Sequence, residues 1–80
     1  MFINKTPDGK NNICGPKIKE KRKELGLSQR ELSDLLQIKG LDVDKNAIQR
    51  IEAGLRFVTD IDLVAISNAL GISIEELLKQ

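Results

Sequence analysis

Four glycines punctuate this chain and restrict what it can fold into. Gly26, Gly40, Gly54 and Gly71 each close a stretch whose apolar residues recur at helical spacing, the place where a left-handed residue ends a helix. After each glycine comes a residue suited to cap the next helix: Ser28, Asp44, Thr59 and Ser73. Ser28 and Ser73 are followed three residues later by Glu31 and Glu76, which makes two capping boxes. Thr59 has Asp62 at the same offset, a weaker version. Each cap is also preceded by an apolar residue that pairs with another at the fourth helical position: Leu27 with Leu32, Val43 with Ile48, Val58 with Leu63, and Ile72 with Leu77. Such hydrophobic staples fix the angle at which a chain enters a helix. A further helix at the front is marked by Gly15 and by Pro16 at its first position.

These signals predict helices near 16–25, 28–39, 45–53, 60–70 and 74–79. Ile18, Leu25, Leu32, Leu35, Leu36, Ile48, Ile51, Leu63, Ile66, Leu70 and Leu77 are expected to share one core. No segment alternates long enough to make a strand. The expected fold class is therefore all-α, a compact five-helix bundle over residues 16–80. Residues 1–15, "MFINKTPDGKNNICG", are rich in Asn, Lys, Gly and Pro and are expected to form a flexible N-terminal arm.

Several function classes fit poorly. The chain has no His, Tyr or Trp, and its single cysteine, Cys14, has no base to activate it, so an enzyme is not expected. One cysteine also excludes an internal disulfide and leaves no ligand set for zinc, so neither metal nor cofactor is expected. No apolar run approaches the roughly 18 residues of a membrane span, and no signal-type apolar stretch follows Met1; a cytoplasmic protein with no membrane partner is expected. Single-stranded nucleic acid calls for aromatic platforms, and only Phe2 and Phe57 are aromatic.

The formal net charge of +1 hides a gradient. Residues 1–30 carry eight Lys or Arg against three acidic residues; residues 59–80 carry Lys79 against Asp60, Asp62, Glu75 and Glu76. One end suits a polyanion and the other does not. The helix near 45–53 is the informative one. At about 100° per residue, Lys45, Asn46, Gln49 and Arg50 fall on one arc, while Ala47, Ile48 and Ile51 fall on the opposite one. Arg pairs bidentately with guanine, Asn and Gln with adenine, and Lys suits guanine or phosphate. The arc lacks acid in a chain with 12 acidic residues.

The stretches "IKEKRKELGLSQRELSDLL", "IQRIEAGLR" and "LVAISNALGISIEELL" resemble the phage-repressor-like XRE/Cro helix-turn-helix family over about Ile18 to Leu78. The resemblance implies a lambda-repressor-like DNA-binding fold. It also implies sequence-specific binding of double-stranded DNA by a small transcriptional regulator, expected to be a repressor. It assigns Lys45, Asn46, Gln49 and Arg50 to the groove-facing side of the recognition helix, with Ala47 against a thymine methyl. It gives Gln29 and Arg56 to backbone phosphates, and the basic Lys17 and Arg30 are expected to join them there. It makes Arg22 and Glu52 a structural ion pair. Ser33 stands where the family usually has Ala, at the crossing of two helices, and is small enough to fit there.

A second departure is the connection "IKGLDVD", longer than the usual turn of about 3–4 residues. Asp42 competes with Asp44 as the cap, but only Asp44 gives a staple, Val43 with Ile48, and the reading face keeps its register. Residues 39–43 are expected to be a solvated loop. A homodimer on a near-palindromic operator is expected, since one such helix reads too few base pairs, and Ile74 and Leu78 near the acidic C-terminal helix are the expected dimer surface. The alternative is a protein-interaction or antitoxin-like module on the same fold.

Overall fold

The computed structural model describes residues 5–79. Among them are five helices and no strand: α1 (Gly15–Glu24), α2 (Gln29–Ile38), α3 (Lys45–Glu52), α4 (Asp60–Leu70) and α5 (Ile74–Leu77). All four expected caps are in place. Ser28 Oγ accepts from the Glu31 N–H at 3.0 Å, and the Glu31 carboxylate accepts from the Ser28 N–H at 2.9 Å. The Ser28 backbone N–H, and after it the Ser28 side chain, hold the Glu31 carboxyl below its usual range. Thr59 and Asp62 exchange the same two bonds, at 3.1 and 3.0 Å, so the shorter acid completes the box after all. The Ser73 box is only half formed. Ser73 caps the Glu76 N–H at 3.1 Å, but the Glu76 carboxylate turns instead to Lys79 Nζ at 3.3 Å.

The glycines act as stop signals. Gly26, Gly40, Gly54 and Gly71 all stand at positive φ, and each returns the next N–H to the last helical turn. Leu27 donates to Arg22 O, Leu41 to Leu36 O, Leu55 to Arg50 O and Ile72 to Ser67 O, all within 3.2 Å.

Ile18, Leu32, Leu36, Ile48, Ile51, Ile66, Leu70 and Leu77 form the core, joined by Cys14, Val43 and Ala47. The four staples close on it; three contribute a buried partner (Leu32, Val43 with Ile48, and Leu77), while Val58 and Leu63 are both half-buried. Leu35 and Leu63 are half-buried at its edge. Leu25 is not a core residue: it is the C-cap of α1, just before the chain reverses at Gly26, and is 48% exposed. Leu27, half-buried, packs against the core in that region. α2 packs chiefly on α3, with α4 behind α2 and α5 closing against α4.

Two segments differ from expectation. Residues 5–14 do not form a free arm; the expected residues 1–4 of that arm lie outside the described part. Thr6 to Lys10 closes a turn through Thr6 N–H to Lys10 O, and the chain then docks on the end of α3. Cys14 is a free thiol, 1% exposed, at the N-cap of α1; burial pushes the thiol pKa up and makes it a packing residue. The connection from α2 to α3 is not merely a solvated loop either. Val43 is buried, Leu41 packs against the core, and Gln37 Nε2 donates to Val43 O at 2.9 Å. Two apolar side chains give the lengthened connection its own anchorage.

Candidate nucleic-acid interface

α3 begins where Asp44 Oδ1 accepts from the Ala47 N–H at 2.8 Å. Its eight residues then divide cleanly. Ala47, Ile48, Ile51 and Glu52 are buried, whereas Lys45, Asn46, Gln49 and Arg50 are exposed. Among the described residues, none of those four side chains is engaged in a hydrogen bond or ion pair. They offer two cations and two amides, all from one helix face, with every donor available to a ligand.

What orients that face lies behind it. Glu52 accepts from Arg22 twice, Nε to Oε2 at 2.6 Å and Nη2 to Oε1 at 3.0 Å. Arg22 Nη1 donates to Leu27 O at 2.8 Å, and Gln29 Nε2 donates to Glu52 Oε1 at 3.1 Å. α1, α2 and α3 thus meet at one buried charged junction. Its Arg22 guanidinium is held charged above its ordinary pKa by the hydrogen bonds to Glu52. Among the described residues no buried side-chain polar atom lacks a partner, which is the condition for a buried ion pair to hold geometry. Ser33 fits the crossing, 3% exposed, with its hydroxyl donating to Arg30 O at 2.7 Å.

One sequence assignment changes, and two of the expected phosphate ligands have partners inside the protein. Ala47 is 7% exposed and belongs to the core, because its position on the helix lies on the apolar arc; it is not on the reading face. Lys17 lies 3.9 Å from Glu76 on α5 and 4.0 Å from Glu20 on its own helix, long and partly exposed pairs that compete with a phosphate for it. Gln29 is half-buried, and its amide supports Glu52 instead of facing outward. Arg30 stands exposed in the first turn of α2. Arg56 is half-buried in the segment after α3, with no partner for its guanidinium among the described residues. Of the expected dimer surface, Leu78 is 40% exposed and Ile74 half-buried; more apolar surface is bare at Ile38, Ile61 and Val64.

Two residues packed at the end of α3, Asn11 and Asn12, were not singled out by the sequence, and Gly15 was read only as marking the start of α1. Asn12 Nδ2 donates to Ile51 O at 3.1 Å and to Arg56 O at 2.7 Å, while its Oδ1 accepts from the Gly15 N–H at 2.9 Å. Asn11 donates through its backbone N–H to Gly54 O at 2.7 Å and through Nδ2 to Leu55 O at 2.9 Å. Gly15 brings the start of α1 so close to α3 that a Cβ there would collide with the Ile51 and Glu52 carbonyl oxygens.

The helix-turn-helix family profile matches residues 18–77, and the chain belongs to that XRE-like family. Solved structures agree. The chain is similar to the master regulator for biofilm formation SinR, determined in complex with DNA: 31% identity, TM-score 0.72, covering 82% of this chain and 98% of that one. It is similar to the restriction-modification controller protein C.AhdI from Aeromonas hydrophila at 30% identity and TM-score 0.70, over 80% and 86% of the two chains. The P22 c2 repressor, determined with a synthetic operator, matches at 29% identity and TM-score 0.72, over 85% and 96%. The fold is thus all-α, of the phage-repressor type. No curated protein sequence matches this chain significantly.

Proposed function

We propose that this chain is a sequence-specific double-stranded DNA-binding regulator of the repressor type, with α3 in the major groove. The observation that carries this reading is the row of Lys45, Asn46, Gln49 and Arg50, exposed and unengaged on one face of a helix whose other face is locked into the core. Resemblance to regulators solved with operator or other DNA supports it. Within the reading, Asn46, Gln49 and Arg50 contact base edges and Lys45 a base or phosphate. Arg30 and Arg56 flank that face as phosphate contacts, which position the protein without reading sequence. The domain acts in the cytoplasm as a homodimer, Leu78 contributing to the contact between copies, so that two α3 helices reach half-sites about 34 Å apart. No helix among the described residues is long and apolar enough to cross a membrane.

The test is a selection of bound duplexes from a random library, followed by titration of the selected duplex at increasing salt and measurement of the complex's mass by sedimentation. The reading predicts affinity falling steeply and log-linearly with salt, and two chains per duplex. A flat salt response removes the DNA-binding reading; one chain per duplex removes the dimer.

A further inference from the structure

The end of α3 and the segment that follows it are held by residues from the far end of the chain. Four carbonyl oxygens, those of Ile51, Gly54, Leu55 and Arg56, each accept from Asn11 or Asn12. The same Asn12 side chain caps the first N–H of α1. One amide therefore satisfies a helix start and a helix end together, using its acceptor for one and its donors for the other. Lys5 Nζ donates to Asn11 Oδ1 at 2.8 Å, so the preceding turn is tied into the same lattice of bonds. The Lys10 side chain lies over Gly54, filling the space a Cβ would need there.

We infer that Asn12, assisted by Asn11, is a positioning residue for DNA binding: by holding the carbonyls of residues 51 and 54–56 it sets where Arg56 presents its guanidinium to a backbone phosphate. This rests on the proposed DNA-binding role of Arg56. Without the clamp, residues 53–56 keep only the bonds their own N–H groups return to the last turn of α3, at Gln49 O, Ile51 O and Arg50 O, and their carbonyls lose their ties to the body. Arg56 then has to be ordered on the DNA at an entropic cost that the clamp otherwise removes in advance.

The test is a double-mutant cycle in affinity for a mixed-sequence duplex, a probe that reports phosphate contacts without a known operator. It is run where circular dichroism shows each variant folded. Arg56→Ala is expected to weaken binding and to lower the slope of log affinity against log salt by about one. Asn12→Ala is expected to weaken binding about 3- to 10-fold in the parent, in line with a lost hydrogen-bonded constraint. In the Arg56→Ala background the same change is expected to cost less than about twofold. Asn12→Asp keeps the acceptor for Gly15 but sets a carboxylate against two carbonyls, so it is expected to weaken binding at least as much as Asn12→Ala. A role confined to stability would shift unfolding and leave this non-additivity absent. If the Asn12 variants do not fold, Asn11→Ala, which removes only two exposed side-chain bonds and keeps the backbone bond to Gly54 O, is read in the same cycle with the same expected non-additivity. Full additivity with an active Arg56 overturns the positioning role alone. An Arg56→Ala variant with unchanged affinity and salt slope overturns the assignment of Arg56, and the inference with it.

Discussion

At its N-terminal end α3 is held by its neighbours in sequence. Asp44 caps the Ala47 N–H, Val43 staples to Ile48, and Gln37 steadies the connection six residues on. At its C-terminal end α3 is held by residues 39 to 44 positions away, Asn11 and Asn12, and by the close approach of Gly15. Between the two ends Glu52 ties it to α1 and α2 through Arg22 and Gln29. The difference teaches how a short helix is aimed. Its start is set by local capping that survives a longer connection, whereas its end, closed locally at Gly54, is held in place by tertiary contacts as well.

The comparison can be tested by breaking each restraint. Glu52→Ala is expected to have the largest effect, about 3–5 kcal/mol of stability in urea unfolding, because it leaves the buried Arg22 guanidinium without a counter-charge. A loss under about 1 kcal/mol would mean that Arg22 finds solvent and that the junction does not hold the helices. Gly15→Ala comes next, at about 1–3 kcal/mol, since the added methyl meets backbone that has no rotamer by which to yield. Unchanged stability would show that α1 and α3 can separate freely at that end. Asp44→Ala is the smallest, about 1 kcal/mol by the same measurement, as one capped N–H is released to water. A loss as large as that of Gly15→Ala would erase the proposed contrast between the two ends.

The same contrast explains what the sequence made legible. Caps, staples and stop glycines act within six residues, so Ser28, Asp44, Thr59 and the four glycines placed the helices to within a residue or two. The arc of Lys45, Asn46, Gln49 and Arg50 followed from the helical period alone. The Arg22–Glu52 pair came from family resemblance, not spacing, and the structure contains it. Ala47 is set by the apolar arc of its own helix, whereas what the sequence missed at Lys17, Gln29 and residues 5–14 has another cause. Lys17 was expected at a phosphate, and the sequence did not show that folding sets Glu76 3.9 Å from it. Gln29 was expected at a phosphate, and the sequence did not show the bond its amide donates to Glu52. Residues 5–14 looked like an arm because Asn, Lys and Gly are loop residues, yet Asn11 and Asn12 are also side chains that satisfy exposed carbonyls. Each of these outcomes depends on a partner distant in sequence. The Ser73–Glu76 box differs only in degree: its glutamate had a rival within one turn, Lys79.

The most direct test of the central claim is the affinity of Asn46→Ala for a duplex selected by the parent protein, set against its affinity for mixed-sequence DNA. Base reading by the exposed face of α3 predicts a loss of about 1–3 kcal/mol on the selected duplex, with affinity for mixed sequence nearly unchanged. Equal losses on both duplexes would contradict it and reduce α3 to a surface that grips DNA without reading it.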